Sequence, residues 1–366
     1  MPERGASPEL STARRRALRF VGHFTSPLKP DDYLELVNPL WSTRELRGRV
    51  QRVQRESAGA ATVTIKPGWD WPGHLAGQYL RLGIEVDGVH HWRAYSLTSE
   101  PRRADGCITI TPKLVHGGKV SPYLVDGIQP GAIVRLGGVE GTFLLPDPLP
   151  RKLLFVSAGS GVTPIASMLR DLRRREALHD VLHVHCVRRS EEFIFGAELQ
   201  ELCSRNPGYR LHERLTGAQG RLAPADLDGL CPDWREREAF LCGPAGLLQT
   251  LREHWREHGD PQRMHVERFQ PEAGAGDGPR GEGGTIDFSV SGVSARSDGG
   301  QPILFAGEQA GAKLPFGCRM GICHSCVGRL RCGQVRDLRT GRVHGQPGEL
   351  LRTCVNAPEG AIEIEL

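Results

Sequence analysis

Residues 317–326 read GCRMGICHSC and place three cysteines in a C-x4-C-x2-C pattern, the most distinctive stretch of this 366-residue chain. A fourth cysteine, Cys354, follows after 27 intervening residues. Five of the ten cysteines thus fall within 37 residues near the end of the sequence. In a reducing compartment, clustered thiols are metal ligands or redox groups more often than disulfides. We therefore expect a metal site formed by Cys318, Cys323, Cys326 and Cys354.

The spacing of these cysteines matches the plant-type pattern for a [2Fe-2S] cluster. Soft thiolate donors hold iron well, and Gly317 and Gly321 allow the loop to fold tightly and to direct backbone N–H groups at the sulfurs. Structural zinc is the alternative, but zinc sites usually add a second close cysteine pair, which the lone Cys354 does not supply. Cys332 lies outside the pattern, and four thiolates leave no need for His324 as a ligand.

The segment around the cysteines, residues 285–366, begins with TIDFSV and ends with AIEIEL, and this alternation predicts a small mixed β module. The segment resembles a plant-type ferredoxin domain, which implies a β-grasp fold. Its loop GCRMGICHSC is similar to the cluster loop of reductases associated with fatty-acid desaturases. His324 replaces the glycine commoner in photosynthetic ferredoxins, and nine basic against eight acidic residues give the module a charge of +1. We therefore expect a docking surface unlike the acidic one of photosynthetic ferredoxins.

The rest of the chain divides by composition. Residues 271–284 contain six glycines and predict a flexible linker. In residues 149–270, apolar runs alternate with helical patterns, which predicts a parallel α/β nucleotide-binding domain. Residues 45–148 hold short runs of β-formers between turn signals, which predicts an antiparallel β-barrel, and residues 1–44 form an N-terminal extension. The predicted fold is therefore multi-domain, α/β plus β.

Two motifs in the predicted barrel suit a flavin nucleotide. In the strand Arg93-Ala94-Tyr95-Ser96, Arg93 and Tyr95 share a face. The Arg fork suits a pyrophosphate, the aromatic ring suits an isoalloxazine, and Ser96 can hydrogen-bond a ring nitrogen, although the pattern alone fits a structural strand equally well. Downstream, the sequence GGKVS at 117–121 precedes a predicted helix, whose N-terminal amides can bind a phosphate.

Together, and joined by CITITPKLVH, these motifs resemble the FAD-binding domain of the ferredoxin-NADP reductase superfamily, which includes the reductase part of flavohaemoglobins. The family's later P-x-G-x-F appears as VEGTF, with Val139 in the place of the proline. The resemblance implies that FAD is bound by Arg93, Tyr95, Ser96, Gly118, Lys119, Val120 and Ser121.

The sequence LLFVSAGSGVTPIASML at 153–169 predicts a strand, a glycine-rich turn and a helix. Such a turn binds a diphosphate through its amides and the helix dipole, although it is not the G-x-G-x-x-G fingerprint. The same resemblance implies that Cys242 lies near the nicotinamide ring, where Tyr95, Ser96 and Cys242 would surround the reacting atoms; a buried structural thiol is the alternative for Cys242. The resemblance also implies that the dinucleotide is bound by Gly159, Ser160, Gly161, Thr163, Pro164, Cys242, Gly243 and Pro244.

Arg188 and Arg189 follow the strand LHVHCV, where the superfamily distinguishes NAD from NADP. Two adjacent cations favour the 2'-phosphate of NADPH, with NADH as the alternative because surface arginines are common. The sequence HVERF at 265–269 resembles the family's terminal H-x-E-R-F, which implies that Phe269 approaches the flavin.

These modules predict an NAD(P)H-dependent ferredoxin-type reductase that relays electrons from NADPH through FAD and a [2Fe-2S] cluster to a partner protein. Hydride transfer needs no general acid or base, so we expect none of the 14 histidines to be catalytic. The similarity of PLKPDDYLELVNPLWS and GCRMGICHSC to desaturase reductases implies a membrane fatty-acid desaturase as acceptor. The alternatives are a haem-thiolate monooxygenase or a ring-hydroxylating oxygenase. A redox-sensing iron-sulfur protein is a different class, and the complete nicotinamide module argues against it.

The charge balance, 47 basic and 43 acidic residues for a net +4, argues against a nucleic-acid partner. The N-terminus lacks the apolar core of a signal peptide, and we expect a cytoplasmic monomer. Residues 11–29 carry five basic residues and no acid, which suits peripheral contact with the anionic inner face of a membrane. A solvated helix packed on the flavin domain is the alternative.

Overall fold

The computed structural model describes residues 30–115, 117–269, 281–317, 319 and 321–366, with side chains from residue 34 onward. The chain forms two compact units, one ending at Glu267 and the other comprising His91–Ala94 with Arg268–Leu366. The first unit contains two β-sheets, and the second unit contains a third. Residues His91–Ala94, in the middle of one strand of the first sheet, are grouped with the second unit. Among the described residues, no helix combines the length and the apolar character needed to cross a membrane.

The first sheet is an antiparallel barrel with strand order β4-β3-β6-β1-β2-β5. A bridge between Leu97, just beyond β4, and Ile110 of β5 joins the two edges of the sheet and closes it. Alternate residues of β2, including Val63 and Ile65, point into the barrel core, as a half-buried strand requires. The strands are β1 (Arg47–Ser57), β2 (Ala60–Pro67), β3 (Tyr79–Val86), β4 (Val89–Ser96), β5 (Ile108–Ile110) and β6 (Ile133–Glu140). The helices are α1 (Pro30–Val37) and the short α2 (Val120–Pro122), which continues as a π-helical turn over Tyr123–Gly127.

The second sheet is wholly parallel, with strand order β11-β10-β7-β8-β9. Every residue of β8 is buried because helices cover the sheet on both faces, which explains why its strands are mostly apolar. One face packs on Trp234 and Trp255. The strands are β7 (Leu153–Ala158), β8 (Val181–Val187), β9 (Tyr209–Leu215), β10 (Glu238–Cys242) and β11 (Met264–Glu267). The helices are α3 (Val162–Arg174), α4 (Gly196–Arg205), α5 (Thr216–Gln219), α6 (Pro224–Leu230) and α7 (Ala245–His258).

A buried polar chain crosses the other face of this parallel sheet. The Ser157 hydroxyl lies 2.7 Å from His183 Nε2 and 2.7 Å from His185 Nδ1, and His183 Nδ1 lies 2.9 Å from the Tyr209 hydroxyl. Burial lowers the pKa of His183 to about 3 and lowers that of His185 as well. Both imidazoles are therefore neutral at physiological pH, and they serve the packing of the sheet.

The third sheet has strand order β13-β12-β17-β14-β15, with β16 paired to β14. Strands β12 and β17 are parallel, and the other pairs are antiparallel. Helix α8 packs Ile303 and Leu304 against Ile286, Leu330 and Ile364 of the sheet. The elements are β12 (Gly284–Phe288), β13 (Val293–Ser297), α8 (Ile303–Gln309), β14 (Val327–Asp337), β15 (Val343–His344), β16 (Leu350–Arg352) and β17 (Asn356–Glu365).

These three sheets confirm the predicted antiparallel barrel, parallel nucleotide-binding domain and small β-grasp domain. Strand β12 begins at Gly284, the last residue of the predicted linker, because Gly284 pairs with Ser297 of β13. Residues 271–280 of that linker and the Arg-rich N-terminal segment lie outside the described residues.

Candidate functional site

The loop before α2 forms a compact cradle at the predicted FAD phosphate site. The Gly118 N–H donates to the Val115 carbonyl at 3.0 Å, and the Val115 N–H donates to the Ser121 hydroxyl at 3.0 Å. Gly117 has a φ of +71°, a conformation that glycine adopts without strain. A Cβ on Gly118 would lie only 3.1 Å from the Val115 carbonyl oxygen. Gly117 and Gly118 therefore let the loop fold tightly, as the predicted phosphate-binding turn requires.

Within that cradle the predicted residues have different surroundings. Lys119 is exposed, whereas the side chain of Val120 packs in the barrel core and can offer only its backbone amide. Ser121 is buried, and its hydroxyl already orders the loop. A phosphate bound here would therefore meet backbone N–H groups and the Lys119 ammonium.

The second flavin motif lies at the end of β4. Tyr95 is half-buried against the barrel core, and Ser96 is buried. Arg93 is half-buried, and its guanidinium donates to the Trp92 carbonyl at 2.8 Å. Thr98 lies two residues beyond Ser96, and its hydroxyl, 2.7 Å from that of Thr109, fixes this strand end. The contacts of these residues with FAD stay a prediction.

The predicted dinucleotide loop is a 3-10 turn over Gly159–Gly161 that leads directly into α3. Gly159 has a φ of +54°, and the Thr163 hydroxyl donates to the Ser160 carbonyl at 2.8 Å. Pro164 is the third residue of α3, within its first turn, where its missing N–H costs no hydrogen bond. The loop thus lies at the positive end of a 13-residue helix, as a diphosphate-binding turn requires.

The carboxyl end of β10 meets this loop, although some 80 residues separate them in sequence. A Cβ on Gly161 would overlap the Cys242 carbonyl oxygen, and one on Gly243 would lie 3.1 Å from the Ala158 Cβ. Pro244 then precedes α7. The structure therefore brings together the two nicotinamide motifs that the sequence identified separately.

Cys242 itself is completely buried. Burial, followed by the nearby charge of Glu267, raises the pKa of its thiol well above the ordinary value. The thiol is therefore neutral at physiological pH. A buried, neutral thiol is not a nucleophile, and because Cys242 is fully covered by protein, its contact with a nicotinamide ring stays a prediction.

Lys113 lies beside the predicted dinucleotide loop, although no sequence motif indicates it. It is half-buried, and its ammonium lies 3.8 Å from the position of a Cβ on Gly159. Its charge also contributes, after burial and the charge of His183, to the lowered pKa of His185. Lys113 thus places a cation beside the dinucleotide loop, where a diphosphate would need one. It stands in the segment that joins the two flavin motifs, and that linear position gives no sign that it reaches the other domain.

Three further predicted residues, Arg188, Arg189 and Phe269, lie just beyond the ends of strands β8 and β11. Arg188 and Arg189 are exposed immediately after β8, and Arg189 Nε lies 3.2 Å from Glu192 Oε1. Phe269 is half-buried, two residues after the end of β11. Both arginines are accessible to a phosphate from solvent.

In the second unit, three of the predicted iron ligands, Cys323, Cys326 and Cys354, are buried. Cys318 lies outside the described residues. The Gly321 N–H donates to Cys354 Sγ at 3.1 Å, as a thiolate ligand requires. A hydrogen bond from the Cys354 side chain is the main cause that lowers the pKa of Cys326 to about 7.

The loop backbone is shaped by glycines, as the sequence predicted. Gly321 has a φ of +71°, and a Cβ on it would lie 2.8 Å from Val355 Cγ2. A Cβ on Gly317 would overlap Cys323 Sγ. Buried cysteines, an amide donor aimed at Cys354 Sγ and a backbone drawn close to the cysteines fit a [2Fe-2S] cluster.

Comparison with known protein families assigns three domains in the order that the sheets follow. Residues 70–144 match the oxidoreductase FAD-binding domain, residues 155–253 the oxidoreductase NAD-binding domain, and residues 288–359 the 2Fe-2S iron-sulfur cluster binding domain. These matches confirm the three predicted cofactors, FAD, a nicotinamide dinucleotide and a [2Fe-2S] cluster.

Curated relatives cover nearly the whole chain. An NADPH oxidoreductase of Mycobacterium tuberculosis is 48% identical over 351 residues, which span 95% of this chain and 91% of that protein. The glycine betaine monooxygenase reductase subunit of Pseudomonas aeruginosa is 30% identical, with 79% of this chain and 86% of that protein covered. The solved structure of phthalate dioxygenase reductase has the same fold, with a TM-score of 0.58 at 21% identity, 87% of this chain and 97% of that chain being covered. The chain therefore belongs to the family of NAD(P)H-dependent electron-transfer oxidoreductases that join FAD-binding, NAD-binding and [2Fe-2S] domains in one polypeptide.

Proposed function

We propose that this chain is the reductase component of an oxygenase system, which draws electrons from NADPH and delivers them to a separate terminal oxygenase. The observation that carries the proposal is a [2Fe-2S] module attached to a complete flavin and nicotinamide reductase, an arrangement shared with a relative named as a monooxygenase reductase subunit. The fold of phthalate dioxygenase reductase agrees with it. The predicted fatty-acid desaturase acceptor has no such support, because neither of these two comparisons names a desaturase.

When bound, the nicotinamide supplies a hydride, the flavin converts it into single electrons, and the cluster passes those electrons on. The residues of this chain contribute binding and orientation. The Gly159–Gly161 turn and Lys113 would hold the diphosphate, and the uncharged Cys242 at the end of β10 would lie at the nicotinamide end of the site. The Gly117–Ser121 loop would hold the FAD pyrophosphate, and Tyr95 and Ser96 would contact the flavin ring.

We infer NADPH rather than NADH as the donor, since the Arg188 and Arg189 side chains are exposed at the end of β8 where a 2'-phosphate would lie. The name of the Mycobacterium tuberculosis relative supports this choice. The double variant Arg188→Ala/Arg189→Ala should raise the KM for NADPH and leave that for NADH unchanged. Arg205→Ala, which removes an exposed cation on α4, is the matched control. An equal change in both KM values would contradict a phosphate-binding role.

The acceptor is tested by reconstitution. The full chain, loaded with FAD and cluster, is mixed with NADPH and either a purified terminal oxygenase or a membrane desaturase from the same cell, and product formation is measured. We expect NADPH-dependent product with the oxygenase and none with the desaturase. Product only with the desaturase would overturn the proposed partner. A loaded protein that cannot turn over cytochrome c repeatedly would instead point to a redox sensor.

We further propose domain limits of 45–148, 149–270 and 285–366, with residues 1–44 as an extension and 271–284 as a linker. The ranges of the three sheets support this division, since each proposed domain contains one sheet. Limited proteolysis should cut first within residues 271–284; a first cut inside one of the sheets would contradict these limits.

Peripheral membrane contact through the Arg-rich segment is tested by cosedimentation with anionic vesicles at low salt. Gel filtration with light scattering tests the monomeric state.

A further inference from the structure

Helix α3 makes two polar contacts with the barrel, besides starting at the dinucleotide loop. The Ser167 hydroxyl donates to the Ser99 carbonyl at 2.7 Å. One turn later, Arg170 Nη1 donates to the Thr98 carbonyl. Both acceptors are backbone groups, so these hydrogen bonds fix the course of the chain and not only two side chains.

Arg170 is held in position from the opposite side by α4. Its Nε lies 2.8 Å from Glu198 Oε1 and its Nη2 lies 2.5 Å from Glu198 Oε2, a bidentate pair. Its guanidinium also stacks on the Phe195 ring, 4.5 Å from the ring centroid. Burial acts to raise the pKa of Glu198, but the hydrogen bonds and charge of Arg170 outweigh it, and the pKa lies below its usual value. The pair is therefore charged at neutral pH.

The packing beside these hydrogen bonds is tight. A Cβ on Gly77 of the barrel would overlap the Phe143 carbonyl oxygen and lie 2.6 Å from Met168 Cε of α3. The Phe143 ring packs edge-on against that of Phe240, with centroids 5.5 Å apart. Close contact of this kind transmits a shift of α3 to the barrel.

The hydrogen bonds of Ser167 and Arg170 join the segment next to the predicted flavin motif to the helix next to the predicted nicotinamide loop. Thr98 and Ser99 follow the flavin motif, which ends at Ser96, by two and three residues. Arg170 and Ser167 belong to the helix whose first residue follows Gly161 of the dinucleotide loop. Each hydrogen bond thus links the strand end that carries Tyr95 and Ser96 to the helix that begins at the nicotinamide site.

We propose that Arg170, oriented by Glu198, is a positioning residue for hydride transfer, which sets the distance between the nicotinamide loop and the flavin strand. Hydride transfer requires the reacting atoms to lie about 3–3.5 Å apart, and a misplacement of ~1 Å can cost roughly 100-fold in rate. Arg170 would act through the Thr98 backbone and α3. The proposal depends on NADPH–FAD chemistry and not on the identity of the terminal acceptor.

The test is stopped-flow reduction of the bound FAD by NADPH in the holoenzyme, with no acceptor present. In Arg170→Ala we expect the limiting rate of flavin reduction to fall by at least ~10-fold, with the Kd for NADPH changed by less than ~3-fold. We also expect the long-wavelength charge-transfer absorbance of the nicotinamide–flavin complex to weaken, because it depends on ring overlap. Arg205→Ala is the matched control, since it removes an exposed cation from α4, the helix that carries Glu198, and should behave as wild type.

A second pair of variants covers the case in which Arg170→Ala folds poorly. Glu198→Gln keeps the shape of the partner and loses its charge, and it should show a smaller fall in the same rate. Arg170→Lys keeps the charge but lacks the planar fork, and it should not restore the rate. Thermal unfolding and FAD content are measured for every variant. Normal limiting rates and charge-transfer bands in Glu198→Gln and Arg170→Lys, in FAD-loaded protein, would overturn the proposal, as would equal losses in Arg205→Ala. Failure of the oxygenase reconstitution would leave these results unaffected.

Discussion

The end of β10 and the cysteine loop both hold buried cysteines, yet the two regions shift the thiol pKa in opposite directions. Around Cys242, burial dominates and raises the pKa well above normal. In the loop, a hydrogen bond from Cys354 lowers the pKa of Cys326 to about 7, and the Gly321 N–H donates to Cys354 Sγ. Burial is common to both cysteines, so the hydrogen bonds that reach the sulfur decide the direction in which the thiol pKa shifts.

A cysteine-to-serine substitution can be made in each region, and the one in the cysteine loop should have the largest effect. Cys354→Ser removes an iron ligand, and we expect loss of the visible absorbance of the cluster and of NADPH-driven cytochrome c reduction. Ferricyanide reduction should persist because ferricyanide takes electrons directly from the flavin. Survival of both activities with an intact cluster spectrum would show that Cys354 is not a ligand.

A glycine substitution in the nucleotide domain should have the next largest effect. A Cβ on Gly161 would overlap the Cys242 carbonyl oxygen, so Gly161→Ala must displace the dinucleotide loop. Displacements of this kind cost about 1–3 kcal/mol, and we expect the KM for NADPH to rise roughly 10- to 100-fold. Gly229→Ala in α6, where an added Cβ meets nothing within 4 Å, is the control. An unchanged KM in Gly161→Ala would show that the loop does not bind the dinucleotide.

Cys242→Ser should have a smaller effect than either. The substitution buries a hydroxyl in place of a neutral thiol without removing a ligand, so we expect flavin reduction by NADPH to slow by about tenfold or less, or ~1.4 kcal/mol in barrier height. The cluster spectrum should be unchanged. Loss of the cluster spectrum in this variant would mean that the two regions do not differ as we describe.

His183 is another buried titratable group of the nucleotide domain, and replacing it should have the smallest effect on activity at neutral pH. Burial lowers its pKa to about 3, so below pH ~6.5 the unfolded chain binds a proton that the folded chain does not. The free energy of unfolding should therefore fall as the pH drops from 6.5 towards 3, by up to ~1.4 kcal/mol per pH unit for this group. Urea unfolding of wild type and His183→Gln, compared at pH 7 and pH 5, measures this difference. Identical pH dependence in the two proteins would contradict a neutral, buried His183.

Much of the candidate site was predictable because its chemistry depends on short sequence spacing. The C-x4-C-x2-C pattern, the glycine-rich turn before Thr163 and the paired Arg93 and Tyr95 each lie within a few residues, and their local geometry follows from loop, helix and strand periodicity. The desaturase acceptor was inferred from loop similarity alone and lacks support in the comparisons. A partner is recognised by a folded surface, which a short loop sequence does not specify.

By itself, the sequence determined the order of the three domains, their fold classes and the cofactors, because strand alternation, helix periodicity and ligand spacing are local properties. Only the tertiary structure decided that Lys113 reaches the Gly159 turn, that Gly161 meets the Cys242 carbonyl, and that Arg170 joins α3 to the flavin strand. It also decided which cysteine stays neutral. These contacts join residues some 50 to 80 positions apart, and no local pattern encodes them, since close approach and burial arise only when separate elements pack together.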